Sequence, residues 1–136
     1  MANYKLISIT LTESYLKREE KVIFEQEGGT PFGINVAFQI NENILYSVVT
    51  VSINESDKNN SSGINIKITM VGAFEIDDNS QFPIEQFANI NAPAIIFPFI
   101  REHLASLTMK AGINPPILLP PINFVKMAEE QNRKEN

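Results

Sequence analysis

Cysteine and tryptophan are absent from the 136 residues, and histidine occurs once, at His103. Without cysteine there can be no disulfide framework, no thiolate nucleophile and no zinc–thiolate site, which fits a reducing compartment. Positive charge is scarce as well: eleven Lys and Arg stand against sixteen Asp and Glu, for a formal net charge of −5. Neutralisation of phosphates supplies most of the affinity of nucleic-acid binders, and the densest basic step here is only Arg133-Lys134, so nucleic acid is excluded as a partner class. Long hydrophobic runs are missing too. The longest, Ala92 to Ile100, is interrupted by Pro93 and Pro98 and is far too short to span a bilayer. Met1 to Leu11 alternates apolar and polar residues and lacks the continuous apolar stretch of a signal peptide. The expectation is a soluble, cytoplasmic protein with no membrane insertion.

What is present is ordinary globular material, 43% apolar and 20% charged, in a length that suits one domain with its own core. The pattern changes halfway. Residues 1–78 are rich in Ile, Val, Thr and Asn and alternate, which predicts an antiparallel sheet. Residues 82–130 carry the longer apolar spacing of helices, and residues 131–136 are expected to form a flexible charged tail. In the first strand Ile7, Ile9 and Leu11 alternate with Ser8, Thr10 and Thr12. The pattern fades through Lys17-Arg18-Glu19-Glu20-Lys21, a mixed-charge solvated bend, and returns at Val22-Ile23-Phe24 before Gly28-Gly29-Thr30-Pro31 stops it. A second strand places Ile34, Val36, Phe38 and Ile40 on one face. The turn Asn41-Glu42-Asn43 leads into a third, Leu45 to Ile53, apolar on both faces at Val48-Val49 and therefore central or at an interface. A polar loop, Asn54 to Gly63, is expected to be a mobile tip. A fourth strand, Ile64 to Ile76, is interrupted by Gly72, a candidate bulge. The four strands read as a meander.

Helices follow. Phe82 to Phe87 predicts a short helical turn. Asn91 predicts an N-cap with Pro93 in the first turn, and Ile96, Ile100, Leu104 and Leu107 form the buried stripe of a long helix ending at Gly112. Pro98 predicts a bend. Ile113 to Pro121 must be extended, and Asn123 opens a final short helix through Phe124, Met127 and Ala128. The fold class is α+β: a four-stranded antiparallel sheet with a long helix and a short C-terminal helix on one face.

Catalytic chemistry finds no foothold. His103 has no serine or cysteine nucleophile motif to serve and reads as a helix-face residue. Asp77-Asp78 offers too few oxygens for a calcium loop and reads as a solvated turn. Gly28-Gly29-Thr30 lacks the spacing and the Lys of a phosphate loop. Catalytic residues, metal ligands and cofactors are therefore all expected to be none, and the chain is not read as an enzyme. What remains is apolar surplus: nine Phe, four Met and three Tyr on a sheet with one helical layer, plus Ile117-Leu118-Leu119 in a Pro-rich loop with no obvious cover. Exposed apolar surface of this kind points to oligomerisation or partner binding.

The C-terminal third carries a signature. Asn91-Ala92-Pro93-Ala94-Ile95-Ile96-Phe97-Pro98-Phe99-Ile100-Arg101-Glu102, then Gly112, then Leu118-Leu119-Pro120-Pro121-Ile122-Asn123-Phe124, resembles that of the SecB family; Pro120 is one proline more than the pattern has. The resemblance implies a cytosolic homo-oligomer, a dimer of dimers with the long helices at its centre, that holds non-native polypeptides in apolar grooves without a nucleotide. Clients would be export precursors passed to the SecA motor or, in other members, the antitoxin of a toxin–antitoxin pair; a non-chaperone adaptor that binds one folded partner is the competing class. Carried over, the client-binding positions are Ile34, Val36 and Phe38 with Phe124, Met127 and Ala128. Where the family docks its motor through acidic residues, this chain has Ser14, Arg18 and Lys67. One neutral residue and two cations do not attract a basic partner.

Overall fold

The computed structural model describes residues 4–19, 32–56, 61–77 and 83–135. Strands β1 (Tyr4–Arg18), β2 (Gly33–Asn41), β3 (Ile44–Ser56) and β4 (Ser61–Ile76) pair antiparallel in the order β1-β4-β3-β2. Only β2, β3 and β4 follow the expected meander; β1 pairs with β4 instead of β2. Alternation along a strand determines which face is buried but not which neighbour lies beside it, so this long-range pairing is invisible in the pattern. β3 lies between β2 and β4, which explains its two apolar faces. Strands β2 and β3 join through the two-residue loop Glu42–Asn43, with Glu42 at a positive φ of 57°. Strands β3 and β4 continue to the pair Ser56–Ser61, well inside the expected loop; its tip, residues 57–60, and the segments Val22–Phe24 and Gly28–Pro31 lie outside the described residues.

β1 departs from strict alternation twice, with register shifts between Leu6 and Ser8 and between Leu11 and Glu13. Ile7 is the extra residue at the first shift and is half exposed, so it does not share the role of Ile9 and Leu11. Gly72 is not a bulge in its own strand. A Cβ there would come within 2.8 Å of Ile96 Cδ1, so the glycine clears room for the helix above it.

The short helical turn expected near Phe87 forms, but it is continuous with the long helix instead of separate from it. A single turn, α1 (Ile84–Gln86), runs into a π-helical segment (Phe87–Asn91) and then α2 (Ala92–Lys110); α3 (Phe124–Glu135) closes the chain. Asn91 is therefore helical and makes no side-chain cap bond. The Ala92 N–H reaches back to the Phe87 carbonyl, five residues away. That widened turn sits just before Pro93, whose ring would otherwise press on the carbonyl one turn back. The distortion expected at Pro98 thus lies upstream; α2 continues through Pro98, which is exposed. Ile96, Phe97, Ile100 and Leu104 of α2 meet Leu45, Val49, Val51, Ile66, Ile68 and Phe74 of the sheet in one core.

α2 ends as its sequence dictates. Gly112 takes φ 76°, its N–H bonds to the Met109 carbonyl, and the Ile113 N–H bonds to that of Thr108. The Pro-rich segment that follows is not uncovered. Buried Thr108 donates its hydroxyl to the Leu104 carbonyl at 2.9 Å and accepts the Ile117 N–H at 3.0 Å. Arg101 Nε donates to the Leu119 carbonyl at 2.8 Å. These bonds hold Ile117 and Leu119 inward and leave Leu118, of these three, exposed at 70%. Asn123 Oδ1 then accepts the Lys126 N–H at 3.0 Å, capping α3. The helix does not stop near Ala128 but continues through Glu135, because Glu, Gln, Arg and Lys propagate helix well.

Candidate functional site

Register decides which β2 side chains face the helices. Ile34, Val36, Phe38 and Ile40 pair with Val51, Val49, Ser47 and Leu45, all buried beneath the helical layer. The cover thins along the strand. Ile34 and Val36 are partly buried against the core, whereas Phe38 is 37% and Ile40 42% exposed. The π-helical segment touches both β2 and α3 and so bridges them, with Phe87 and Ala88 buried. Phe87 stacks on Tyr4 at 3.9 Å and meets Phe74 edge-on at 5.1 Å, which fixes the segment to the sheet.

On α3 the three expected positions separate. Met127 and Ala128 are partly exposed. Phe124 is only 5% exposed and packs edge-on against Phe97 at a centroid distance of 5.8 Å. It is a core residue beneath the site and not part of an open wall. The reason is the cap: Asn123 starts the helix, and the next residue turns back toward α2. Ile40, exposed, extends the apolar row of β2 beyond the expected positions. Ile40 was findable, because it continues the every-second-residue row of Ile34, Val36 and Phe38.

The three positions aligned with a motor-docking face do not share one. Ser14 pairs with buried Ile68 and looks toward the helices, where its Oγ lies 2.8 Å from His103 Nε2. Arg18 also turns that way and donates through Nη1 to the Ala111 carbonyl at the end of α2. Lys67 is on the opposite face, ion-paired with Glu13 at 3.2 Å. The strand alternation that carries Lys67 outward carries Ser14 and Arg18 inward. Among the described residues His103 has no carboxylate partner, no group of three side chains could hold a metal, and no helix is long and apolar enough to cross a membrane. The surface shared by β2, the π-helical segment and α3 offers apolar contact without a charged anchor on β2. It suits a ligand recognised by greasy side chains and not by one functional group.

A family model described as the preprotein translocase subunit SecB matches residues 13–135. The protein-export protein SecB of Albidiferax ferrireducens is 29% identical over 133 residues, covering 94% of this chain and 84% of that protein. The SecB of Methylobacillus flagellatus is 30% identical over 101 residues, 74% of this chain and 63% of the relative. An uncharacterized protein of Methanocaldococcus jannaschii is 31% identical over 96 residues, 69% of this chain and 61% of that protein. The match thus spans somewhat under two thirds of the length of the last two. Among solved structures, the SecB-like chaperone Rv1957 of Mycobacterium tuberculosis, in complex with a peptide from the HigA1 antitoxin, superimposes with a TM-score of 0.71. At 13% identity over 88% of this chain and 91% of that one, the likeness is one of fold. With the family model covering all but the ends of the chain, this protein belongs to the SecB family.

Proposed function

We propose that this protein is a holdase chaperone that binds unfolded polypeptide, without nucleotide, along the apolar surface between β2 and α3. The observation that supports this most is the row Ile34, Val36, Phe38 and Ile40, which passes from half-buried to open on a strand that has no charged residue and meets the π-helical segment. Unfolded chains expose apolar segments every few residues, and apolar contact makes no directional demand, so one surface holds many sequences. Export precursors are the client class suggested by the names of the SecB relatives, and an antitoxin segment is the class suggested by the Mycobacterium complex. Self-association into a cytoplasmic dimer of dimers is part of the proposal. It is supported by exposed Leu6 and Leu11 on β1 together with exposed Ile95 and Phe99 on α2. Docking to the SecA motor draws no support from Ser14, Arg18 and Lys67, which lie on two faces.

The test is light scattering of several unrelated refolding clients with no ATP present. A several-fold excess of this protein is expected to suppress aggregation of all of them. Suppression of none would favour a module that binds one folded partner, and suppression of one alone would favour a dedicated chaperone.

A further inference from the structure

β2 is an edge strand whose outer side is paired with no described residue. Which of its backbone groups lie on that side follows from the hairpin. The Asn43 carbonyl accepts the Ile76 N–H at 2.7 Å, so the backbone of Asn43 faces β4. Successive residues of a strand direct their N–H and C=O to opposite sides, so Ile44 faces β2 and exchanges bonds with its partner Asn41. The register from Asn41 to Gly33 has no shift. Asn41, Gln39, Ala37, Asn35 and Gly33 therefore face β3. Ile40, Phe38, Val36 and Ile34 direct their backbone N–H and C=O away from the sheet.

The residues that present apolar side chains on the helix-facing side are thus the same ones whose outward backbone groups are paired with no described residue. Folded proteins guard such edges with charged side chains, prolines or bulges. β2, GINVAFQIN, has none of these over nine residues. The opposite edge strand, β1, has two register shifts and carries Lys5, Glu13, Lys17 and Arg18. An unguarded, uncharged, regular edge beside an apolar groove is complementary to one kind of ligand: an extended, uncharged stretch of polypeptide.

We infer that a client segment adds to β2 as a fifth strand, pairing its backbone with Ile34, Val36, Phe38 and Ile40 while its alternate side chains enter the groove toward α3. This rests on the holdase reading and deepens it. Backbone pairing supplies affinity without reference to side chains, and the groove then selects segments that alternate apolar and polar residues over those that are merely apolar. An amphipathic helix of the same composition cannot use the edge, since its backbone groups are already paired.

The experiment uses a synthetic nine-residue peptide alternating valine and threonine, with a lysine at each end, and two derivatives N-methylated at every valine or at every threonine. Only one parity of peptide N–H groups faces β2 in a given strand direction. One methylated set is expected to weaken binding at least tenfold while the other stays within about twofold of the parent peptide; which set does so reports whether the added strand is antiparallel or parallel. In the complex, amide exchange followed by NMR is expected to show new protection at Val36 and Phe38. Equal binding of the parent and both methylated peptides, with no new protection, would overturn the edge pairing and leave the apolar groove standing. No binding of the parent peptide, together with no suppression of aggregation, would overturn the proposed function and this inference with it.

Discussion

β1 and β2 are both edge strands of the same sheet, yet their construction differs at every level. β1 runs fifteen residues, shifts register twice, carries four charged side chains, and is tied to the helical layer by polar contacts, Ser14 to His103 and Arg18 to the Ala111 carbonyl. β2 runs nine residues without a shift or a charge, and meets the helical layer through the π-helical segment. The difference teaches that an edge can be fixed or left available within one fold. Polar ties and irregularity specify β1's position, whereas β2 keeps its backbone regular and its side chains greasy, with an outer edge that no described residue pairs.

The largest expected effect lies in the core, at the start of α3. Phe124→Ser removes a buried ring from its contact with Phe97 and leaves a hydroxyl in an apolar site. A loss of about 4–6 kcal/mol is expected from the truncation and the buried hydroxyl together. Thermal unfolding measures it. A midpoint close to that of the parent would mean that Phe124 is an exposed wall after all.

An intermediate effect is expected on the β1 side. Arg18→Gln removes the guanidinium that donates to the Ala111 carbonyl, just after the last turn of α2, where a cation also complements the helix dipole. Bonds made by charged donors in partly buried settings contribute about 1.5–3 kcal/mol. The expected outcome is a fall of that size in denaturant titration, with peptide binding at the β2 edge unchanged. Loss of binding at full stability would show that the two edges are not independent.

How much of this was legible beforehand depends on the range of the interaction. Alternation located all four strands, and the doubly apolar Val48-Val49 marked β3 as central. Gly112 announced its own cap and Asn123 its own helix start, because those signals are settled within a few residues. The pairing of β1 with β4, the register shifts in β1 and the seat that Gly72 makes for Ile96 depend on residues far apart in sequence. The π-helical turn escaped for a different reason: Asn91 before Pro93 matches an N-cap locally, and only the upstream helix shows otherwise. In the site, Phe38 and Phe124 are the same residue type, each at a position that suits either a groove or a core. Sequence gave them equal standing, and only the cover above each distinguishes 37% from 5% exposure.

The smallest effect on stability, and the largest on function, is expected at Phe38. Its ring lies on the helix-facing side of β2, opposite Ser47, and retains over a third of its exposure. Phe38→Ser removes apolar area that is only partly buried, and the new hydroxyl can still reach water, so no orphaned polar group adds to the loss. The cost is expected to be roughly 1 kcal/mol, set by the area that the free protein already covers. The backbone of residue 38 would continue to point its N–H and C=O outward, because the register is held by the residues that face β3. Side-chain recognition is therefore removed while the edge is kept. Affinity for an unfolded client is expected to fall about tenfold, the loss of one well-buried aromatic contact in the complex. Fluorescence titration with a labelled, unfolded client checks this, with thermal unfolding of the same samples as the control. A midpoint as low as that of Phe124→Ser would place Phe38 in the core, and unchanged affinity at unchanged midpoint would remove it from the site.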